Sequence, residues 1–192
     1  MNLVIIIGPS AVGKRTVGLE LSKLTNYILV HNHQPKDFVI DVNGEFDVEL
    51  LREVRKAVVR YYAEKDVDGL ILSFRYNYMS SGSMFHMRDL IESVIDCNTD
   101  SKIYIVELTS PIETRIERNK TSDRENLHYM KDEQKLIDSE NQGVYYSADS
   151  ESHFDIIKSV LDIKNMNMFS IDNTNLSASE VANIIHNKIV NA

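Results

Sequence analysis

An α/β domain with a parallel sheet is predicted by three observations. Short apolar runs recur at 3–7, 27–30, 70–74, 103–108 and 168–171, each bordered by a stretch of helical period. Strand and helix signals alternate from one end of the chain to the other, as successive βα units require. The turn between the first run and the first helical stretch, GPSAVGKRT at 8–16, is short and contains two glycines, as a tight strand-to-helix turn does.

The 192 residues fit one domain spanning 1–192, large enough to bury a core without disulfides. No repeat or low-complexity tract occurs, and with three prolines there is no inter-domain linker. A formal net charge of -8 argues against nucleic acid and anionic membrane as partners. Any anion must then be held by local groups. The one cysteine, Cys97, has no partner for an internal disulfide and is expected as a core-side thiol in a reducing compartment. The first apolar run ends at Gly8 and no basic segment precedes it, so neither a leader nor a spanning helix is expected and the cytoplasm is the expected location.

The helices have local signals of their own. After the glycine turn, Val17, Leu21 and Leu24 share a face, and Val48, Leu51, Val54, Val58 and Tyr61 form a longer apolar stripe. SPIE at 110–113 offers an N-cap serine, a proline at the first helical position and a glutamate at the third. SASE at 177–180 has capping-box spacing ahead of Val181, Ile184, Ile185 and Ile189. The stretch 119–150 is polar, has no strand signal and holds at most one short helix near 131–140. It reads as a solvated excursion or, from its place before the last strand, as a lid.

Chemistry concentrates in the first turn. Gly8 is followed by Pro9, Ser10, Ala11 and Val12, then by Gly13 and Lys14, which is the spacing of a phosphate loop. Backbone N–H groups from Ala11 to Thr16 would converge on a phosphate chain, aided by the helix dipole and the Lys14 charge. Where the pattern places Ser or Thr as a ligand to Mg²⁺ stands Arg15, and guanidinium cannot coordinate a cation. Thr16, one residue on, carries a hydroxyl.

GPSAVGKRT resembles the loop of the P-loop kinases of nucleotides and small molecules, the group containing guanylate, adenylate, shikimate and gluconate kinases. GPS is similar to the guanylate kinase loop, and lysine, a non-hydroxyl residue and threonine are similar to the GKGT of adenylate kinases. The resemblance implies a three-layer P-loop NTPase fold with five parallel strands in the order 2-3-1-4-5 and a lid at about 119–150. It implies a transferase using ATP and Mg²⁺, with Lys14 and the loop amides on the β- and γ-phosphates. In that pattern Mg²⁺ rests on phosphate oxygens and water, with help from Thr16.

The same resemblance suggests where an acceptor binds. HNHQPKDF, at 31–38, follows the second run, where His33 or Asp37 would orient the acceptor, while His31 and His33 read equally as loop-surface groups or pocket hydrogen-bonders. Arg75 stands near the arginine that closes the adenylate kinase motif DGFPR, but the aspartate of that motif is missing and Ser73 lies nearby. Tyr76 and Tyr78 would flank a flat acceptor or form a surface turn. The segment TSPIETRIERNKTSDR resembles the helix leading into the lid, where Arg118 and Arg124 would neutralise the transferring phosphoryl group, with ion pairing to Glu113 or Glu117 the alternative for one of Arg115, Arg118 and Arg124. Asp172, Asn173 and Thr174 would contact the base or simply form a turn. Two readings follow, an ATP-dependent small-molecule kinase or a nucleotide-binding regulatory or sensor protein of kinase descent.

Overall fold

The computed structural model describes residues 1–65, 67–73, 75, 81–120, 134, 136–138, 150–161, 163 and 166–191. In chain order its elements are β1 (Asn2–Ile7), α1 (Lys14–Thr25), β2 (Ile28–His31), α2 (His33–Asn43), α3 (Val48–Glu64) and β3 (Gly69–Ser73). There follow α4 (Ser81–Ile95), β4 (Lys102–Thr109), α5 (Ile112–Asn119), α6 (Ser150–Leu161), β5 (Met166–Asp172) and α7 (Ala178–Val190). The strands form one parallel sheet of five in the order β2-β3-β1-β4-β5.

The apolar runs become strands because a central parallel strand buries both faces and can be hydrophobic throughout. Alternate residues of β1 feed two cores. Leu3, Ile5 and Ile7 join Leu70, Leu72 and Ile105 on the side covered by α3, α4 and α6. Val4 and Ile6 join Ile71, Val106, Leu21 and Ile185 on the side covered by α1 and α7. The layers are therefore helix, sheet, helix, and every strand ends its carboxyl terminus on the same edge.

Local signals hold at some ends and shift at others. Ser177 caps α7 with a complete capping box, its hydroxyl taking the Glu180 N–H while the Glu180 carboxylate takes the Ser177 N–H. At α5 the cap position is Pro111 and not Ser110, with no side-chain cap hydrogen bond. On α1 the buried face is Val17, Gly18 and Leu21, and Leu24 is exposed. On α3 it is Leu51, Val59 and Ala63, with Val48 and Tyr61 exposed, so the true stripe advances in steps of four. Cys97, expected in the core, is exposed, because it lies past the end of α4. Among the described residues no helix is long and apolar enough to cross a membrane.

Candidate active site

The turn after β1 is a loop whose backbone only glycine makes easily. Gly8 has φ 140 and Gly13 φ 103, and Ala11 adopts φ 65 between them. Gly13 occupies the cap position of α1 in a left-handed conformation, and no side chain caps the helix. The first N–H groups of α1 thus have no capping side chain and are available to an anion. Residues 8–12 are buried, Gly13, Lys14 and Arg15 are half-buried, and Thr16 is exposed. Lys14 folds back over the loop, its Nζ donating to the carbonyls of Gly8 (2.8 Å) and Pro9 (2.6 Å).

A second loop, after β5, is clamped to the first. Asn173 is 3% exposed and donates from Nδ2 to the Val12 carbonyl at 2.7 Å. Arg118 donates to the carbonyls of Asn173 (2.6 Å), Thr174 (3.2 Å) and Val12 (3.4 Å), and to Asn173 Oδ1 (3.2 Å). Burial lowers the pKa of this guanidinium and the Asp172 carboxylate opposes the shift. Arg115, buried, donates to the carbonyls of Ser110 (3.1 Å) and Ser10 (3.5 Å). The two arginines of α5 therefore brace the loop after β1 through the Ser10 and Val12 carbonyls. Thr174 donates from both N and Oγ1 to Asp172 Oδ1, so these two residues close a turn. Arg124, Tyr76, Tyr78 and most of the stretch 119–150 lie outside the described residues.

On the β2–β3 side the sheet edge opens into a pocket lined by Val30, Asn32, Pro35, Arg55, Ser73 and Leu90. HNHQPKDF is not a loop here, since α2 starts at His33. Asn32, at its cap position, takes a short hydrogen bond from Arg55 through Oδ1. Arg55 also lies 3.4 Å from His86 Nε2. Burial lowers the Arg55 pKa to about 10, which leaves it cationic at neutral pH. Burial first, then Arg55 and Arg52, press the His86 pKa down to about 4, so His86 is neutral at neutral pH and its Nε2 can accept a hydrogen bond from the Arg55 guanidinium. His31 is also lowered, by burial and then by Arg15, with Asp37 acting the other way. The His31 and His33 rings stand 6.2 Å apart. Arg75, half-buried, follows the end of β3.

A His86 pKa below that of the unfolded chain means that the unfolded state binds the proton more readily between about pH 4 and 6.5. Stability from this group is intact above that window and falls as the pH drops through it. The loss expected is up to about 3 kcal/mol, and His86→Leu should flatten that part of a stability–pH curve measured by urea unfolding.

Arg55 and His86 are residues that the sequence reasoning missed. Arg55 follows Leu51 by four and precedes Val59 by four, a charged residue on the core stripe of α3, and that spacing is the signal that would have found it. Glu107 was missed as well. It lies within the apolar run of β4, opposite Ile7, and is 2% exposed with Oε1 2.9 Å from Nδ1 of buried His153 on α6. A carboxylate inside a central strand was readable as an anomaly.

No protein-family model matches this chain, and no curated protein matches it. Solved structures do. A sugar kinase from a Janibacter species superposes with a TM-score of 0.61 at 13% identity, covering 99% of this chain and 95% of its own. A putative kinase from Chloroflexus aurantiacus gives 0.58 at 15%, covering 99% and 96%. Shikimate kinase from Acinetobacter baumannii, in complex with shikimate, gives 0.56 at 16%, covering 98% and 93%. The chain has the fold of the P-loop small-molecule kinases.

In P-loop enzymes Mg²⁺ is held by a hydroxyl beside the loop lysine and by an acidic residue on a neighbouring strand. In this P-loop kinase fold those places are taken by Arg15 and by the end of β3, Ser73, which is 3% exposed. Thr16 offers one neutral, exposed hydroxyl. Among the described residues no group of three or more His, Cys, Asp or Glu side chains is arranged to hold a metal. Mg²⁺ is held by one or two carboxylates together with substrate phosphates and water, and the described residues do not make a protein-held magnesium site.

Proposed function

We propose that this protein transfers the γ-phosphoryl group of ATP to a small acceptor that carries a carboxylate or phosphate. The observation that carries the reading is the meeting of two sites at one sheet edge. The phosphate loop rises from β1, and the Arg55 pocket opens at β2 and β3, with Ser73 in register with both Ile6 and His31. Ligands of open parallel α/β sheets bind beyond the carboxyl ends of the strands, and phosphoryl transfer asks chiefly for positioning and charge stabilisation.

The residues then divide the work. Gly8, Gly13 and the amides from Ala11 to Thr16 cradle the phosphates, and Lys14 leaves the Gly8 and Pro9 carbonyls to pair with phosphate oxygens. Arg115 and Arg118 hold the cradle in shape, with Asn173 and Thr174 bordering the base. Arg124, on the lid, spreads the charge of the phosphoryl group in flight. Arg55 anchors the acceptor through its anion, His33 or Asp37 orients the acceptor hydroxyl, and Arg75 adds a second positive charge where the acceptor bears a phosphate.

The test is label transfer from γ-labelled ATP to a panel of small carboxylic acids, phosphate monoesters and neutral alcohols. Label is expected on an anionic acceptor, and Arg55→Gln should raise the KM for that acceptor roughly 10- to 100-fold, as loss of one charge-assisted contact does, with the KM for ATP unchanged. Label confined to neutral acceptors would overturn the assignment of Arg55. A second reading, a nucleotide-binding regulatory protein without transfer, is favoured by Arg15 and by Ser73 in the place of an acid. Tight ATP binding without labelled product in single turnover would establish it.

A further inference from the structure

Arg15 occupies the position from which this fold ordinarily supplies a metal ligand, and three features show where its charge goes. It stands on the first turn of α1 beside Lys14, half-buried, while the next residue, Thr16, is exposed. Its charge acts on His31 at the carboxyl end of β2. Its Nε is closed off from solvent and makes no hydrogen bond among the described residues, nor does Arg15 form an ion pair with any of their carboxylates. A shielded guanidinium N–H in such a place is set for an acceptor that comes from outside the protein.

The described surroundings favour an anion. His31 is pushed towards its neutral form, the end of β3 offers the Ser73 hydroxyl, and the loop itself presents N–H donors. A dication placed among Lys14, Arg15 and the positive end of α1 would meet like charge: β1, β2 and β3 carry no carboxylate, the Glu107 carboxylate of β4 lies against His153, and Asp37 stands on α2. A guanidinium, by contrast, is weakly hydrated and presents paired N–H donors to phosphate oxygens.

We infer that Arg15 stands in for the divalent cation at the phosphate chain, so that this protein binds a nucleoside triphosphate as the metal-free anion. The inference rests on the nucleotide-binding reading given above and goes beyond it by assigning the counter-charge to the chain itself. The fixed cation neutralises β- and γ-phosphate oxygens, and free Mg²⁺ becomes dispensable for binding.

Titration calorimetry with ATP and with a non-hydrolysable analogue, in excess Mg²⁺ and in EDTA, tests this. For the unaltered protein the Kd is expected to change by less than about threefold between the two conditions. Arg15→Ser, which restores a hydroxyl, should weaken metal-free binding by roughly 10- to 100-fold and make affinity depend on Mg²⁺. Arg15→Lys should keep most of the metal-free affinity. The melting temperature of each variant without nucleotide shows whether it is folded. Should the unaltered protein bind in Mg²⁺ and release the nucleotide in EDTA, the role of Arg15 is refuted while nucleotide binding stands. Should it bind in neither, the functional reading falls and this inference with it.

Discussion

Replacing Lys14 with alanine should weaken ATP binding roughly 10²- to 10⁴-fold, because two charge-assisted contacts worth about 1.5–3 kcal/mol each are removed. In the absence of ligand the ammonium is held by the Gly8 and Pro9 carbonyls at 2.8 and 2.6 Å. Those contacts keep it at the loop and cost little to exchange, since one oxygen acceptor is replaced by another of higher charge. The fold does not depend on them. Lys14 is half-buried, and the loop is held independently by Asn173 on Val12 and by Arg115 on Ser10. The melting temperature without nucleotide should therefore stay close to that of the unaltered protein, and the calorimetric Kd should carry the whole effect. A Lys14→Ala protein that binds ATP within threefold of the original would remove the phosphate loop from the mechanism.

The sheet was readable because its strands are short apolar runs at βα spacing, and all five appear where those runs lie. The resemblance supplied the order, and the order found is β2-β3-β1-β4-β5. Helix ends were legible where the signal is local and reciprocal, as at Ser177 and Glu180, where two hydrogen bonds fix one geometry. They were less legible where a single residue type was weighed alone. Pro111 fits either side of a helix start, and it proved to sit at the cap of α5.

Helix faces were harder, for a physical reason. Val48, Val54, Val58 and Tyr61 are apolar, yet a helix on a three-layer domain buries whichever face the sheet and its neighbours demand. On α3 that face runs through Leu51, Val59 and Ala63, with Arg55 between them. Apolar character predicts which residues tolerate burial and does not show which are buried, and a charged residue required by a pocket is invisible to that test. His86 is hidden in the same way. It belongs to α4 and meets Arg55 only after α3 and α4 pack together, 31 positions apart in sequence. The glycine turn between β1 and α1 escaped this difficulty because all of its parts are consecutive.

Gly8→Ala should be the most destabilising single substitution in the loop, and Gly13→Ala should not share its fate. A Cβ at Gly8 would lie 2.4 Å from the backbone carbonyl oxygen of Leu108, at a φ of 140 that L side chains rarely adopt. That carbonyl has no room to retreat. Leu108 is in β4, which is paired to β1 through Ile7 and Glu107 on one side and to β5 through Leu108 and Ile171 on the other. Relief would demand that the loop lift or that the centre of the sheet part, and a loss of roughly 3–5 kcal/mol is expected. For a domain of this size that is a fall of about 10 °C or more in melting temperature. At Gly13 the nearest atom to an added Cβ is Asn173 Nδ2, at an ordinary 3.6 Å, so only the backbone strain of φ 103 remains. Gly13→Ala should stay folded, lose about 1–3 kcal/mol, and lose ATP affinity disproportionately, because the strain is relieved by turning the amides that face the phosphates. Equal stability losses at the two glycines, measured by urea unfolding, would mean that the Leu108 carbonyl does not confine the loop.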